Sequence, residues 1–162
     1  MNGVYIRKLS VEEFTSRAIP FIEAAGLKFN KERFSIVAAL VQERVRLLKE
    51  VPEMVEFLFK EEITRNIQEM FQKGIDKDIA KKVIEESSKA FEALCSFSAD
   101  EIEATLRKIA ENLALKAGPM FGVIRVAVTG KKITPPLFES IVALGKDTVL
   151  KRLRETLSLV SH

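Results

Sequence analysis

Pro119-Met-Phe-Gly-Val-Ile-Arg-Val-Ala-Val128 is the stretch on which the fold class turns. By propensity, Val123, Ile124, Val126 and Val128 favour a β-strand. A strand needs a neighbour, because alone it leaves its backbone groups unpaired and is not stable. No second strand-like run is visible in the 162 residues, so Met120 to Val128 reads as a helix and the chain as all-α. Thr129 and Gly130 end that helix, and Gly118-Pro119 separates it from the one before.

Working outward, helix signals recur along the chain. Ser10 and Glu13 match a capping box that opens a helix to about Ala25, closed by Gly26. Pro20 falls inside it and should kink or split it. Apolar periodicity predicts further helices over Lys31 to Glu50, Glu53 to Phe59 and Asp76 to Leu94. Ser98 and Glu101 form a second capping box, opening a helix to Lys116 or Ala117. Thr134-Pro135 reads as a cap with proline at the first helical position, and that short helix ends at Gly145. The last helix, Lys146 to about Leu159, carries Leu150, Leu153, Leu157 and Val160 on one stripe, with Lys151, Arg152 and Arg154 off it. The expected architecture is a helical bundle in two small lobes: 1–62, a connector over 63–75, and 76–162.

With 47% hydrophobic and 30% charged residues, the chain can bury a core and cover itself. No run approaches the roughly 20 apolar residues of a membrane span, and the first ten residues lack the apolar centre of a signal peptide. Cys95 is the one cysteine, so an internal disulfide is impossible and a cytoplasmic protein is expected. The one histidine, His162, is the last residue, which removes the usual acid–base and metal side chain from the body of the chain. No zinc spacing, glycine-rich phosphate loop or Ser/His/Asp set occurs. Neither an independent active site, a metal nor a bound cofactor is expected. A binding module or a piece of an enzyme fits better.

The formal charge of +3 conceals a pattern. Residues 1–50 are net +3, 51–114 net −5 and 115–162 net +5. Basic ends around an acidic middle suit a polyanion partner, and equally suit charges that only solvate helix faces. Two arginines stand out. If 31–50 is one helix, Arg44 falls amid the apolar arc of Val37, Val41 and Leu48, while Gln42, Arg46 and Lys49 lie opposite. It then either forms an internal ion pair, snorkels to solvent, or is aimed at an external base edge or phosphate. Arg125 sits alone among Ile124, Val126 and Val128, with the same choice between an internal pair and an external acceptor.

Lys116-Ala-Gly-Pro-Met-Phe-Gly-Val-Ile-Arg-Val-Ala-Val-Thr-Gly130, followed by Thr134-Pro-Pro-Leu-Phe-Glu139 and Leu144-Gly-Lys146, resembles the C-terminal anticodon-binding region of bacterial-type glutamyl-tRNA synthetases, which are class I aminoacyl-tRNA synthetases. Met1 to Arg7 with Leu9-Ser10 resembles the family's entry into this region. Glu43-Arg44, Leu48-Lys49-Glu50 and Phe57-Leu58-Phe59 resemble its first helical lobe. Across 60–97 little matches beyond helical character.

The resemblance implies a tRNA-binding part of a longer enzyme that joins glutamate to its tRNA with ATP and Mg²⁺. The family's ATP-holding H-I-G-H-like and K-M-S-K-S-like motifs are absent, so this piece would contribute no chemistry. Arg44 matches an arginine that reads the third anticodon base, a cytosine, in some members; a glutamine there goes with tolerance of glutamine tRNA. Arg125, Thr134, Pro135, Leu137 and Phe138 match positions that cradle the first two anticodon bases. Pro136 departs from the glycine of many members and removes a backbone donor there. The placement suits RNA reading, in which splayed bases stack on apolar surfaces and bond through their edges. Leu137 and Phe138 would supply that surface, or else belong to the core. Lys131, Lys132 and Lys146, and further on Lys151, Arg152 and Arg154, are candidates for contact with the RNA backbone. A monomer with a glutamate tRNA as partner, and neither DNA nor membrane, is expected. The alternative is a helical protein-interaction scaffold without an RNA role.

Overall fold

The computed structural model describes residues 3–71, 74–131 and 135–161, with side chains from residue 6 onward. Its helices are α1 (Gly3–Lys8), α2 (Val11–Ala24), α3 (Lys31–Arg44), α4 (Val51–Phe59), α5 (Lys77–Ala93), α6 (Ala99–Asn112), α7 (Ala117–Thr129), α8 (Leu137–Leu144) and α9 (Lys146–Ser161), with 3-10 turns at Leu48–Glu50 and Ile67–Met70. No strand occurs among the described residues, and the all-α expectation holds.

The deciding stretch is helical, and among the described residues there is no strand with which it could have paired. Met120, Val123, Ile124, Val126, Ala127 and Val128 are all at most 3% exposed. Each large apolar side chain so buried contributes about 1.5–3 kcal/mol, which outweighs the mild strand preference of valine. The helical period leaves Gly118, Gly122 and Arg125 on the remaining side. Pro119 sits in the first turn, where its missing N–H would have had no helical partner.

The chain divides into two compact units. The first comprises 1–63 and 133–143. Ser10 caps α2 by accepting the Glu13 N–H at 3.1 Å, and Asn30 caps α3 by accepting that of Arg33. α2 runs through Pro20 unsplit and ends where Gly26, at φ +83°, lets Leu27 N–H reach back to the Ile22 carbonyl. Phe14, Phe29, Phe34 and Phe59 form an aromatic cluster with ring centroids 5.6–6.5 Å apart. Gln42, expected on the polar face, is buried; its Nε2 donates to the Ile6 and Leu9 carbonyls at 2.8 and 2.7 Å and ties α1 to α3.

The second unit comprises 64–132 and 144–162. In it α5 lies along α9, with α6 and α7 packed beside them. Asp76 caps α5 through the Ile79 N–H, and Ser98 caps α6 through that of Glu101. α6 stops at Asn112, earlier than expected, because Ala114 adopts φ 56° and Leu115 N–H turns back to the Ala110 carbonyl. Alanine thus fills a left-handed position that favours glycine. That frees Gly118 to enter α7 instead of closing α6.

The observed division differs from the expected 1–62, 63–75 and 76–162 in two places. Residues 64 onward of the supposed connector belong to the second unit, since Met70 and Ile75 are buried and the Ile67–Met70 turn packs on α7. Residues 133–143, with most of α8, belong to the first.

Candidate nucleic-acid interface

Arg125 projects from α7 half-buried, between helical neighbours Gly118 and Gly122 on one side and Thr129 on the other. A Cβ added at either glycine would meet nothing within 4 Å, so the backbone on this side is open. Among the described residues the Arg125 guanidinium has no hydrogen bond and no ion pair. Burial alone pushes its pKa below the ordinary arginine value, with no carboxylate to offset the loss of water. The Arg125 carbonyl accepts a 2.6 Å bond from Thr129 Oγ1, which also accepts the Lys131 N–H at 3.0 Å. Gly130, at φ 72°, closes the helix.

Arg44 is placed differently from the sequence expectation. α3 ends at Arg44 itself, and Val45 leaves it in an extended conformation. The continuous helix to Glu50 does not form, because Glu50 turns its carboxylate onto the Arg46 and Leu47 N–H groups at 2.8 and 2.7 Å. Those two bonds hold its pKa below the ordinary carboxylate range. Arg44 is therefore exposed at a helix end, not set in an apolar arc; among the described residues its Nη1 makes only a 3.5 Å contact with the Leu40 carbonyl. Cations favour that end of a helix. In the same unit a cleft of about 500 Å³ opens between Arg17 and Phe21 of α2 and Leu47, Leu48 and Lys49. Phe21 is 40% exposed there.

The segment after Gly130 is partly described. Lys132 and Thr134 lie outside the described residues. α8 starts two residues later than expected: Pro136 supplies its first carbonyl acceptor, to the Ser140 N–H at 3.0 Å. Pro135 is buried, and its carbonyl accepts from Ser140 Oγ at 3.2 Å. Leu137 is 3% exposed and belongs to the core, whereas Phe138 is only partly buried. Of the candidate residues, Arg44, Pro135, Leu137 and Phe138 fall in the first unit, and Arg125, Lys131 and Lys146 in the second.

Two expected surface cations are anchored instead. Lys146 Nζ donates to the Glu92 and Leu94 carbonyls at 2.8 and 3.0 Å and so closes the end of α5. Arg152 is 1% exposed, with Nη1 on the Val128 carbonyl at 2.7 Å. Arg65, which the sequence did not single out, is buried at the side chain and bonds the Ala127 carbonyl at 2.8 Å and Glu155 at 3.3 Å. Its burial lowers its pKa, and Glu155 partly restores it. No local pattern could have marked Arg65, because its partners lie 62 to 90 residues away. Among the described residues no cluster suited to a metal ion occurs, and no helix is long and apolar enough to cross a membrane.

The all-α scaffold thus offers one half-buried arginine without a partner among the described residues and a second, exposed, at a helix end. Residues 13–157 match the family model of the anticodon binding domain, and the chain belongs to that family. It is similar to the glutamate–tRNA ligase of Roseiflexus sp. (strain RS-1), 40% identical over 159 residues that cover 94% of this chain and 31% of the relative. It is also similar to that of Paenarthrobacter aurescens (strain TC1), 37% identical over 161 residues, 95% of this chain and 32% of the relative. The chain thus spans about a third of the length of the curated relatives it matches. In fold it resembles the crystal structure of a glutamate tRNA ligase from Elizabethkingia meningosepticum CCUG26117 in complex with its amino acid. The TM-score is 0.84 at 17% identity, over 98% of this chain and 31% of that one.

Proposed function

We propose that this chain binds the anticodon of a glutamate tRNA, as the anticodon-binding part of a glutamate–tRNA ligase. The catalytic part of that enzyme would attach glutamate with ATP and Mg²⁺, in the cytoplasm, and this part would act as a monomer without chemistry of its own. The observation that carries the reading is Arg125: a half-buried guanidinium on an open helix side, with no partner among the described residues, inside the segment matched by the anticodon binding domain family. A buried arginine without an acceptor is costly in the free protein, and a base edge or phosphate supplies the acceptor. Arg44, exposed at the end of α3, is the candidate for the third anticodon base. Phe138, which is partly buried, is the candidate for stacking by a splayed base.

The test is equilibrium binding of glutamate tRNA over a salt series. Log affinity should fall linearly with log salt, by about 0.7 per single-strand phosphate neutralised. Arg125→Ala should weaken binding roughly tenfold or more. Arg44→Ala should lose more affinity for the cytosine-ending anticodon than for a transcript changed at that base; equal losses on both would remove Arg44 from base reading. Absence of tRNA binding at low salt would defeat the whole reading in favour of a protein-interaction scaffold.

A further inference from the structure

We propose that Arg65 and Arg152 are positioning residues for Arg125: they close the C-terminal end of α7 from outside the helix and hold the Arg125 side in the orientation an RNA base requires. This rests on the reading of Arg125 as an RNA contact.

The last carbonyls of a helix have no partner within it. In α7 the Val126 carbonyl takes the Gly130 N–H at 2.9 Å, an ordinary local closure. The next two are closed by side chains from far along the chain. The Ala127 carbonyl accepts Arg65 Nε at 2.8 Å; Thr156 Oγ1 lies 3.2 Å from it but has the nearer Arg152 carbonyl, at 2.7 Å, for its one hydrogen. The Val128 carbonyl accepts Arg152 Nη1 at 2.7 Å. Arg65 Nη2 also reaches the Arg152 carbonyl at 3.4 Å and Glu155 at 3.3 Å, so the two arginines are linked through α9. The Arg65 side chain is 4% exposed and Arg152 1%.

Water or a neighbouring backbone N–H could close these carbonyls without removing two guanidinium groups from solvent. What the buried guanidinium groups add is fixed geometry: Arg65 holds the Ala127 carbonyl with Nε and the Arg152 carbonyl and Glu155 with Nη2, and Arg152 holds the Val128 carbonyl with Nη1. They pin the segment before the Ile67–Met70 turn, α7 and α9 to a common point two and three residues beyond Arg125. From within the helix, Thr129 Oγ1 holds the Arg125 carbonyl at 2.6 Å. The backbone that carries Arg125 is thus held by the helix and by its cap, while the guanidinium is left without a partner among the described residues. A recognition group fixed in this way binds with less loss of freedom.

The experiment compares binding of two glutamate tRNA transcripts, one with the native anticodon and one changed at its second base, to the chain and to Arg125→Ala, Arg65→Lys, Arg65→Met and Arg152→Lys. Thermal melts check that each variant is folded. Lysine keeps the charge at positions 65 and 152 and loses the fork, so it serves where methionine prevents folding. Arg125→Ala should reduce discrimination between the transcripts by roughly tenfold. Arg65→Lys and Arg152→Lys should reduce it by at least about threefold while the salt slope stays unchanged, since no phosphate contact is removed. Folded lysine variants with full discrimination, beside an impaired Arg125→Ala, would overturn the positioning role and leave the Arg125 reading intact. An unaffected Arg125→Ala would overturn that reading, and the positioning role with it.

Discussion

The ends of α3 and α7 each carry an arginine proposed to read RNA, and they are built in opposite ways. The end of α3 is closed by its own neighbourhood: the Val45 N–H bonds the Val41 carbonyl at 3.0 Å, and Glu50, six residues beyond Arg44, caps the next turn from an exposed position. The end of α7 is closed by Arg65 and Arg152, which are 62 and 24 residues from the carbonyls they bond and have buried side chains. The first arrangement leaves Arg44 adaptable, because among the described residues nothing but a 3.5 Å contact restrains its guanidinium. The second fixes the backbone under Arg125. Local closure suits a side chain that can search for its acceptor; remote closure suits one that must meet its acceptor at a set distance.

The strongest way to break this contrast is Arg152→Ala. It deletes a charge-assisted bond and leaves a cavity, and should destabilise the chain by about 2–4 kcal/mol. A denaturant midpoint that does not move would mean that the α7 end does not depend on its remote cap. Arg125→Leu should have a much smaller effect on stability, costing less than about 0.5 kcal/mol or giving a gain, because a desolvated charge without an internal partner is removed. A loss comparable to that of Arg152→Ala would reveal an internal acceptor for Arg125.

The smallest effect belongs to Glu50. Its folded pKa lies below that of the unfolded chain, so its cap contributes stability above the unfolded value. That stability is lost as pH falls through the folded value. Glu50→Gln keeps an acceptor but removes the titration, so the acid limb of the stability profile should flatten while the melting point near neutral pH barely changes. An acid limb identical to that of the parent chain would show that the Arg46–Leu47 turn does not depend on the carboxylate.

Several features were legible in advance because their causes are local. Ser10, Ser98 and Gly26 ended or opened helices through side chains and φ values within a few residues. The strand-like run 120–128 was read as a helix by the absence of any strand to pair with. Other features were not legible. The helix expected over 31–50 broke at Arg44, although Glu50 and Pro52 were in view, because apolar periodicity continues past the break. Ala114 ended α6 in a conformation its residue type does not favour. Arg152 read as solvent-facing and proved buried, because its partner carbonyl is on another helix.

The sequence by itself determined an all-α chain, most of its caps, and the family in whose motif Arg125 stands, since capping, periodicity and motif spacing act over short stretches of chain. Only the tertiary structure decided which cations face outward and which are consumed inside. Arg65, Arg152 and Lys146 became caps for helix ends brought beside them by folding, while Arg125, in a more apolar stretch of sequence than any of these, was left with an open helix side and no acceptor among the described residues. A charge can be seen in a sequence; whether a carbonyl waits within 3 Å of it depends on residues that may be anywhere in the chain.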